Sequence, residues 1–455
     1  MRRNRLISRA RTSASAGSLA KLARRLSESG SRIEDRLWER RLVEAINDRL
    51  ARGFADDIDA ALEELSRTQA RAYDDLADLA ESCAESATVE VDGKPHDALL
   101  LAVPLLAWSR YRLPATALAP ALVDAVGAQI AGHLAARGTR IAVADYLYSI
   151  DQLPESFGEV YDAAQKLFEA CVAGKRMKID GKSLREPVMM LSDTRYVLAA
   201  IVAPQGAPLY HWQETGVDPD AKTAALAAFR EQTGSALAPL MTGCRFRVLA
   251  PNAFHAGLRQ ADRDLREFSL EAAVSYLKLA YDLGPASLQA TFAAFEDKRV
   301  EEIRIGIGGA GNDDAVIEGV VWPLLGDEEE RAQEEIDTAL RRLGVNKVTA
   351  HAHRFPLEYC DDCGAPMFPN PAGHAVHAEP PEDVQVHPRR CQDDQRHREH
   401  RPPQPESRDE QQIQTDVYRC IDDVDPKAHP RPLHHVERHT ERRGQKRHAE
   451  QKKEH

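Results

Sequence analysis

The sequence lacks the features that mark exported and membrane proteins. Its longest apolar stretches, residues 99–108 and 316–325, fall far short of the roughly 18 residues that cross a bilayer. The arginine-rich residues 1–17 are not followed by the apolar segment of a secretory signal. These absences predict a cytoplasmic protein with no membrane partner.

Cysteine is scarce and odd in number, with 7 cysteines in 455 residues. Cys83, Cys171 and Cys244 stand alone in apolar or helical contexts, unlike the paired cysteines of a disulfide framework. We expect these three residues to be reduced thiols that fill space in the core. This pattern also favours the cytoplasm.

Positive charge is concentrated at the two ends of the chain. The formal net charge is −12, although residues 1–17 and the region after Asp383 each carry a positive excess. The central part is therefore more acidic than the whole chain, and it repels phosphate backbones. We expect no nucleic-acid partner, and we interpret the basic N-terminus as a solvated arm.

Familiar catalytic motifs are also missing: the sequence has no G-x-S-x-G, no G-x-x-x-x-G-K-[ST] and no H-E-x-x-H. Gly306-Ile-Gly308-Gly-Ala-Gly311 does reproduce the letters G-x-G-x-x-G. In a dinucleotide fingerprint those glycines open a helix, whereas here they lead into the strand-like run 315–322. We therefore expect a β-hairpin turn that binds no nucleotide.

Hydrophobic periodicity predicts an α/β fold, with α+β as the alternative. Helical spacing dominates residues 18–85, and β-branched runs begin near Ala87, with a hairpin turn at Asp92-Gly93. A loose similarity between residues 101–143 and 198–248 suggests an internal duplication. The expected organisation is a disordered basic arm (1–17), a helical segment (18–86), an α/β domain (87–265), a second α/β domain with a β-meander and a CxxC turn (266–383), and a disordered tail (384–455).

Individual elements follow from the same patterns. We expect Ser269 to cap a helix that ends at Gly284. The other predicted helices cover 118–134, 155–173, 222–233 and 328–343. The predicted strands cover 87–91, 97–108, 140–147, 195–203, 245–249, 288–295, 302–307, 315–322 and 345–351.

The strongest chemical motif is Cys360-Asp-Asp-Cys363-Gly364. Its spacing is that of half a zinc site, and the glycine lets the backbone turn so that amide groups point at the sulfurs. His377 and His374 are the nearest candidates for the remaining two ligands, although their x2 spacing is shorter than usual. Thiol redox chemistry and a turn that binds nothing remain alternatives.

Other polar and aromatic residues lie at predicted strand ends, where they could line a pocket. Such residues more often serve packing and turn formation than catalysis. These candidates are Asp145, Tyr146, Tyr148 and Asp151, then Tyr210, His211, Trp212 and Glu214, and finally His255.

Five segments together resemble the bacterial domain of unknown function 2863 family. They are FPLEYCDDCGAPMFPNP (355–371), VHAE (376–379), GSRIEDRLWE (30–39), YLYSIDQLP (146–154) and GVVWPL (319–324). The resemblance spans about residues 18–383. It implies no activity, and it carries over no functional residue beyond the interest attached to Cys360, Cys363 and His377.

Proteins similar to this one end soon after the segment that matches His377-Ala-Glu379, whereas this chain continues. Beyond Asp383 its composition changes abruptly to Arg, His, Gln, Pro and acidic residues, with few aliphatic side chains. Such a segment buries too little apolar area to offset its conformational entropy. We expect it to be disordered and dispensable, and the break suggests a change of reading frame.

Together these observations favour a non-enzymatic binding or regulatory protein with a structural site resembling a zinc knuckle. The cofactor expected is zinc, held by Cys360, Cys363 and His377, and His374 is a weaker candidate for the fourth ligand. The alternative is an enzyme of unrecognised class with a pocket near Asp145 to Asp151.

Overall fold

Helices and strands alternate along the chain as the α/β prediction requires. The computed structural model describes residues 14–379, except 110–112, 188–191, 215, 217 and 219. The tail after Asp383 and most of the basic arm lie outside the described residues. The helices are α1 (Ala14–Ser27), α2 (Arg32–Ala51), α3 (Asp56–Thr68), α4 (Ala70–Glu85), α5 (Pro120–His133), α6 (Phe157–Val172), α7 (Ala221–Leu237), α8 (Phe254–Tyr281) and α9 (Glu329–Arg342).

The described strands form one large sheet, one smaller sheet and one short hairpin. The larger sheet contains β1 (Ser86–Val91), β2 (Lys94–Trp108), β3 (Thr116–Ala117), β4 (Arg140–Val143), β5 (Tyr146–Ser149), β6 (Ser192–Pro204), β7 (Arg245–Val248) and β8 (Asn252–Ala253). The smaller sheet contains β9 (Leu288–Glu296), β10 (Val300–Gly309), β11 (Glu318–Pro323), β12 (Lys347–Ala350) and β13 (Phe355–Pro356), and the hairpin is β14 (Phe368–Pro369) with β15 (Ala375–Val376).

The first sheet is built on the long antiparallel pair β2 and β6. Successive side chains of a strand point to opposite faces, and here both faces are covered. Leu100 and Leu106 face the core that holds α1 to α4 and α6. Leu101 and Val103 face the core that holds α5 and α7. Burial on both sides explains the nearly continuous apolar sequence of β2.

The topology agrees with an internal duplication. Two segments, β2-α5-β4-β5-α6 and β6-α7-β7-β8-α8, follow the same course. In the sheet β4 and β5 pair with β6, and in the matching positions β7 and β8 pair with β2. Helices α5 and α7 share one face of the sheet, and α6 and the first half of α8 lie on the other.

Helix α8 extends from the first core into the second. Phe254 and Phe268 pack in the core of the larger sheet, whereas Leu270 and Leu277 pack against the smaller sheet. The predicted cap at Ser269 is wrong, because that residue is buried within the helix. The helix also ends before Gly284, since Asp282 adopts the left-handed conformation at φ 55°. The domain boundary proposed between residues 265 and 266 falls inside α8.

The second sheet begins with the predicted meander, because β9, β10 and β11 pair antiparallel in sequence order. Helix α9 then returns the chain so that β12 and β13 pair parallel to β9. Ile303, Ile305 and Ile307 of β10 face α8 and α9 in a shared apolar core. Arg304 and Gly306, which alternate with them, face the opposite side, where the last described segment lies.

The G-x-G-x-x-G segment leads into a strand and not into a helix, as predicted. Its expected placement in a turn is wrong for three of its four glycines. Gly306, Gly308 and Gly309 lie within β10, and Gly311, at φ 101°, lies in the connection to β11. Added Cβ atoms at Gly306 and Gly308 would lie 2.3 and 2.6 Å from the carbonyl oxygens of Pro369 and Ala315. The neighbouring chain can therefore approach the strand this closely only because both residues are glycine. Both glycines serve close packing of the backbone.

Candidate metal centre

Residues 355–379 cover the face of the second sheet that α8 and α9 leave open. The segment contains no helix and only the two-residue strands β13, β14 and β15. Phe355 stacks on Phe295 of β9, with ring centroids 5.2 Å apart. The candidate metal ligands therefore lie on a segment with little regular structure that rests on a sheet.

A pair of glycines receives the side chain that anchors this segment. Gly306 and Gly319 face each other across β10 and β11. A Cβ atom at Gly319 would lie 2.2 Å from the ring of Phe368, which is 6% exposed. Phe368 in turn pairs with Val376, the residue before His377. The glycine pair therefore helps to set the position of a candidate ligand.

Cys360 and Cys363 lie in a tight chain reversal. Tyr359 and Pro366 form an antiparallel bridge at its base. Within it, the N–H of Cys360 donates to the carbonyl of Ala365 at 2.8 Å, and the N–H of Gly364 donates to the carbonyl of Cys360 at 2.7 Å. Gly364 has φ 69°, a conformation in which glycine replaces a strained side chain. The expected role of this glycine is confirmed.

The reversal and the β14–β15 hairpin bring three candidate ligands together. Cys360, Cys363 and His377 offer ligand atoms that all lie within 4.8 Å of one another. The Sγ of Cys363 is 3.1 Å from the Nε2 of His377. All three residues are half-buried, and the group is the one candidate metal cluster among the described residues. The set could therefore hold a metal ion.

Backbone amides adjust the electrostatics of the first sulfur. The pKa of Cys360 lies below its ordinary value, chiefly because the N–H of Cys363 donates to the sulfur. The N–H of Asp362 and the side chain of Cys363 act in the same direction, against burial and the charge of Asp362. A thiolate is the form of cysteine that binds metals, so the turn favours the ligating state.

His377 has a carboxylate near its other ring nitrogen. Its Nδ1 is buried without a hydrogen-bond partner, and Oε1 of Glu379 lies 3.7 Å away. Metal-bound histidines usually donate the second ring N–H to such an acceptor, which fixes the ring and raises its basicity. Glu379 is thus placed to support His377 after a small movement.

His374 lies apart from the other three predicted ligands. It is exposed in the turn between β14 and β15. Its backbone N–H donates to Oδ1 of Asn370 at 2.8 Å, and its carbonyl accepts from the Asn370 N–H at 2.9 Å. Among the described residues, no fourth side chain therefore joins the cluster of Cys360, Cys363 and His377.

The polar candidates near Asp145 have structural contacts. Oδ1 of Asp145 accepts the N–H of Ile179 at 2.8 Å, and Tyr148 is buried in the larger core. Burial raises the pKa of Tyr148 far above its ordinary value. Gln152 donates to the carbonyl of Arg185 at 2.9 Å. These hydrogen bonds fasten the loop between α6 and β6 to the residues around β5.

The other aromatic and histidine candidates are also engaged in packing. Tyr210 stacks on Trp212 at 4.7 Å, and burial raises the pKa of Tyr210 to about 12. Glu214 accepts the backbone N–H of Arg137. The backbone N–H of His255 donates to Glu85, and its ring contacts Phe254.

The prediction for the isolated cysteines is confirmed. Cys83, Cys171 and Cys244 are buried thiols. Burial raises the pKa of both Cys83 and Cys171 to about 11, so neither is a reactive thiol.

Two contributors to the site escaped sequence reasoning. Arg304 lies beneath the cysteine turn, and Glu379 lies beside His377. The sequence signal for Glu379 is its position two residues after a candidate ligand. The signal for Arg304 is a lone charge within an isoleucine-rich strand.

None of the helices in the described part of the chain combines the length and apolar character needed to span a bilayer. No curated protein and no solved structure matches the chain. One family, described as "Protein of unknown function (DUF2863)", matches residues 4–391, which include both cores and the cysteine turn. The resemblance seen in the sequence is confirmed, and the chain belongs to this family.

Proposed function

We propose that Cys360, Cys363 and His377 bind a zinc ion that fastens residues 355–379 to the second sheet. The protein would then act as a non-enzymatic binding or regulatory protein of the cytoplasm. The observation that carries this proposal is the convergence of two sulfurs and one imidazole nitrogen within 4.8 Å.

The donor set suits zinc better than other common ions. Zinc accepts thiolate and imidazole ligands in a tetrahedral arrangement, whereas magnesium and calcium prefer oxygen donors. The lowered pKa of Cys360 and the free Nδ1 of His377 beside Glu379 both agree with ligation. A water or another group would complete the coordination, because His374 lies outside the cluster.

A structural role is proposed because the segment has little regular structure of its own. Its strands are two residues long, and Phe355 and Phe368 are its large buried apolar side chains. Ordering a chain without regular structure costs conformational entropy, and metal binding contributes folding free energy directly. A zinc ion that joins Cys360 to His377 would close this segment on itself.

The comparison between binding protein and enzyme favours the former. The polar side chains near Asp145 form structural hydrogen bonds to the loop at Ile179. A cavity of about 550 Å³ between α8 and α9 is bordered by charged side chains that pair with one another, such as Arg266 with Asp327. Neither place gathers an activated nucleophile with a base.

The two histidines of the β14–β15 hairpin provide a matched test. We expect purified full-length protein to hold about one zinc per chain by elemental analysis. His377→Ala should lose that zinc on dialysis against a mild chelator, whereas His374→Ala should retain it. Any zinc on histidines of the tail would be retained equally by both variants.

Equal zinc loss in both variants, or wild-type protein that takes up no zinc when it is supplied, would contradict the proposal. If the zinc-free wild-type protein instead oxidised to a disulfide between Cys360 and Cys363, that result would support thiol redox chemistry.

A further inference from the structure

Arg304 is a fully buried cation directly beneath the cysteine turn. It projects from β10, its side chain is 0% exposed, and its Nε lies 2.7 Å from Oε1 of Glu302. Its Nη1 donates to the carbonyls of Glu358 and Met367, the latter at 3.0 Å. A buried charge is costly unless it is paired and hydrogen-bonded, so these contacts are essential to its placement.

The two carbonyls lie on opposite sides of the turn. Glu358 precedes the bridge between Tyr359 and Pro366, and Met367 follows it. A single nitrogen of Arg304 therefore joins the incoming and outgoing chains at the base of the reversal that carries both cysteines.

The shape of this contact requires a planar cation. The guanidinium carbon lies 4.4 Å from the ring centre of Phe295 and 4.9 Å from that of Tyr359. Arginine stacks on aromatic faces while donating in several directions, whereas the ammonium of lysine is a compact, strongly hydrated charge. Lysine at position 304 would keep the charge and lose the two-sided stacking.

The geometry points to Arg304 as a positioning residue for the metal centre, through which the second sheet regulates how tightly the site binds its ion. This inference rests on the proposed zinc site. Arg304 contacts the chain on both sides of the cysteines but belongs to the sheet, so sheet and site hold each other in place. Displacement of Arg304 would let the turn widen and the cysteine sulfurs move apart.

A second buried arginine, on the other side of the sheet, provides a control. It distinguishes an effect on the position of the metal ligands from an effect on the stability of the whole fold. Arg266 of α8 is 4% exposed, pairs with Asp327 at 2.7 Å and donates to the carbonyl of Leu324. It also lies over the ring of Trp322, at 5.8 Å. Arg266 thus resembles Arg304 in burial and bonding, but its partners lie outside residues 355–379.

The test uses cobalt(II) as a spectroscopic substitute for zinc, added to full-length Arg304→Lys, Arg266→Lys and wild-type protein. Supporting residues around a metal typically change its affinity by about 10- to 100-fold when mutated, and we expect a loss of this size for Arg304→Lys. Its visible cobalt bands should also shift, because the ligand geometry changes. Arg266→Lys should lower the melting temperature but leave cobalt affinity and spectrum as in wild type.

Equal cobalt affinity and identical spectra in the two lysine variants would overturn the role of Arg304 while leaving the metal site intact. Wild-type protein that binds no cobalt and no zinc would overturn the site itself and the inference with it. If Arg304→Lys does not fold, Tyr359→Leu decides the question, because it removes one stacking face and keeps the arginine. Weakened binding in that variant supports positioning, and unchanged binding refutes it.

Discussion

Replacing Gly319 by alanine should loosen residues 355–379 from the sheet. Gly319 and Gly306 are cross-strand partners, and the ring of Phe368 lies directly on Gly319. A Cβ atom there would lie 2.2 Å from two ring carbons of Phe368, far inside van der Waals contact. The ring must therefore move, and β14 must move with it.

The structure sets a lower and an upper limit on the loss in the free energy of unfolding. Restoring an ordinary carbon–carbon separation of about 3.5 Å requires the ring to shift by more than 1 Å. Overpacking of this kind costs about 1–3 kcal/mol in the free energy of unfolding. The upper limit is complete loss of the Phe368 contacts, for which Phe→Ala substitutions in cores indicate about 3–5 kcal/mol. We expect a value near 2 kcal/mol.

Denaturant unfolding monitored by circular dichroism measures this free energy, with Gly309→Ala as the matched control. Gly309 ends the neighbouring strand β10, and no heavy atom lies within 4 Å of the position of its Cβ. The control should change stability by less than about 0.5 kcal/mol, and zinc retention should fall in Gly319→Ala alone. If Gly319→Ala were as stable as the control and held zinc equally well, the proposed anchoring by Phe368 would be refuted.

Two further predictions concern titration. Burial raises the pKa of Glu85 to about 7 from 4.5, so the folded state binds more protons than the unfolded state between these values, and stability should fall as pH rises through this window. Glu85→Gln, which can still accept the His255 N–H, should stabilise the protein at pH 8 by roughly 1–3 kcal/mol and have no effect below pH 4, as thermal melts would show; equal gains at both pH values would contradict this. In metal-free protein, a thiol reagent followed by peptide mapping should label Cys360 in the folded state but Cys83 and Cys171 only after unfolding, because burial raises the pKa of the latter two to about 11; early labelling of Cys83 would refute this assignment.

The single strand predicted at 140–147 is two strands, β4 and β5. The long strands of both sheets, by contrast, were predictable because their pattern is local. The hairpin at Asp92-Gly93 is one example, since both residues have positive φ and join β1 to β2 directly. The first half of α8 was not predictable in the same way. Its apolar face is interrupted by charges, such as Arg259 and Arg266, whose partners Glu81 and Asp327 lie far away in sequence. Their burial depends on tertiary contacts that no local pattern records.

The candidate site also has one part that local sequence determines and one part that depends on tertiary contacts. The turn at Cys360 and Cys363 follows from short-range spacing and from Gly364, so the sequence predicts it well. The relative positions of His374 and His377 depend on the pairing of Phe368 with Val376, which turns His377 toward the sulfurs. The sequence places both histidines within reach, but it contains no local signal that distinguishes them.

The G-x-G-x-x-G segment links the packing of the second sheet to the position of the candidate ligand His377. Gly306 allows the carbonyl of Pro369 to approach β10, and its partner Gly319 receives Phe368. Side chains at either position would keep β14 away from the sheet, and β15 carries the chain into His377. A glycine pattern that elsewhere lets a phosphate approach a backbone here lets one backbone segment approach another. The position of His377 therefore depends on glycines that permit close packing of the backbone.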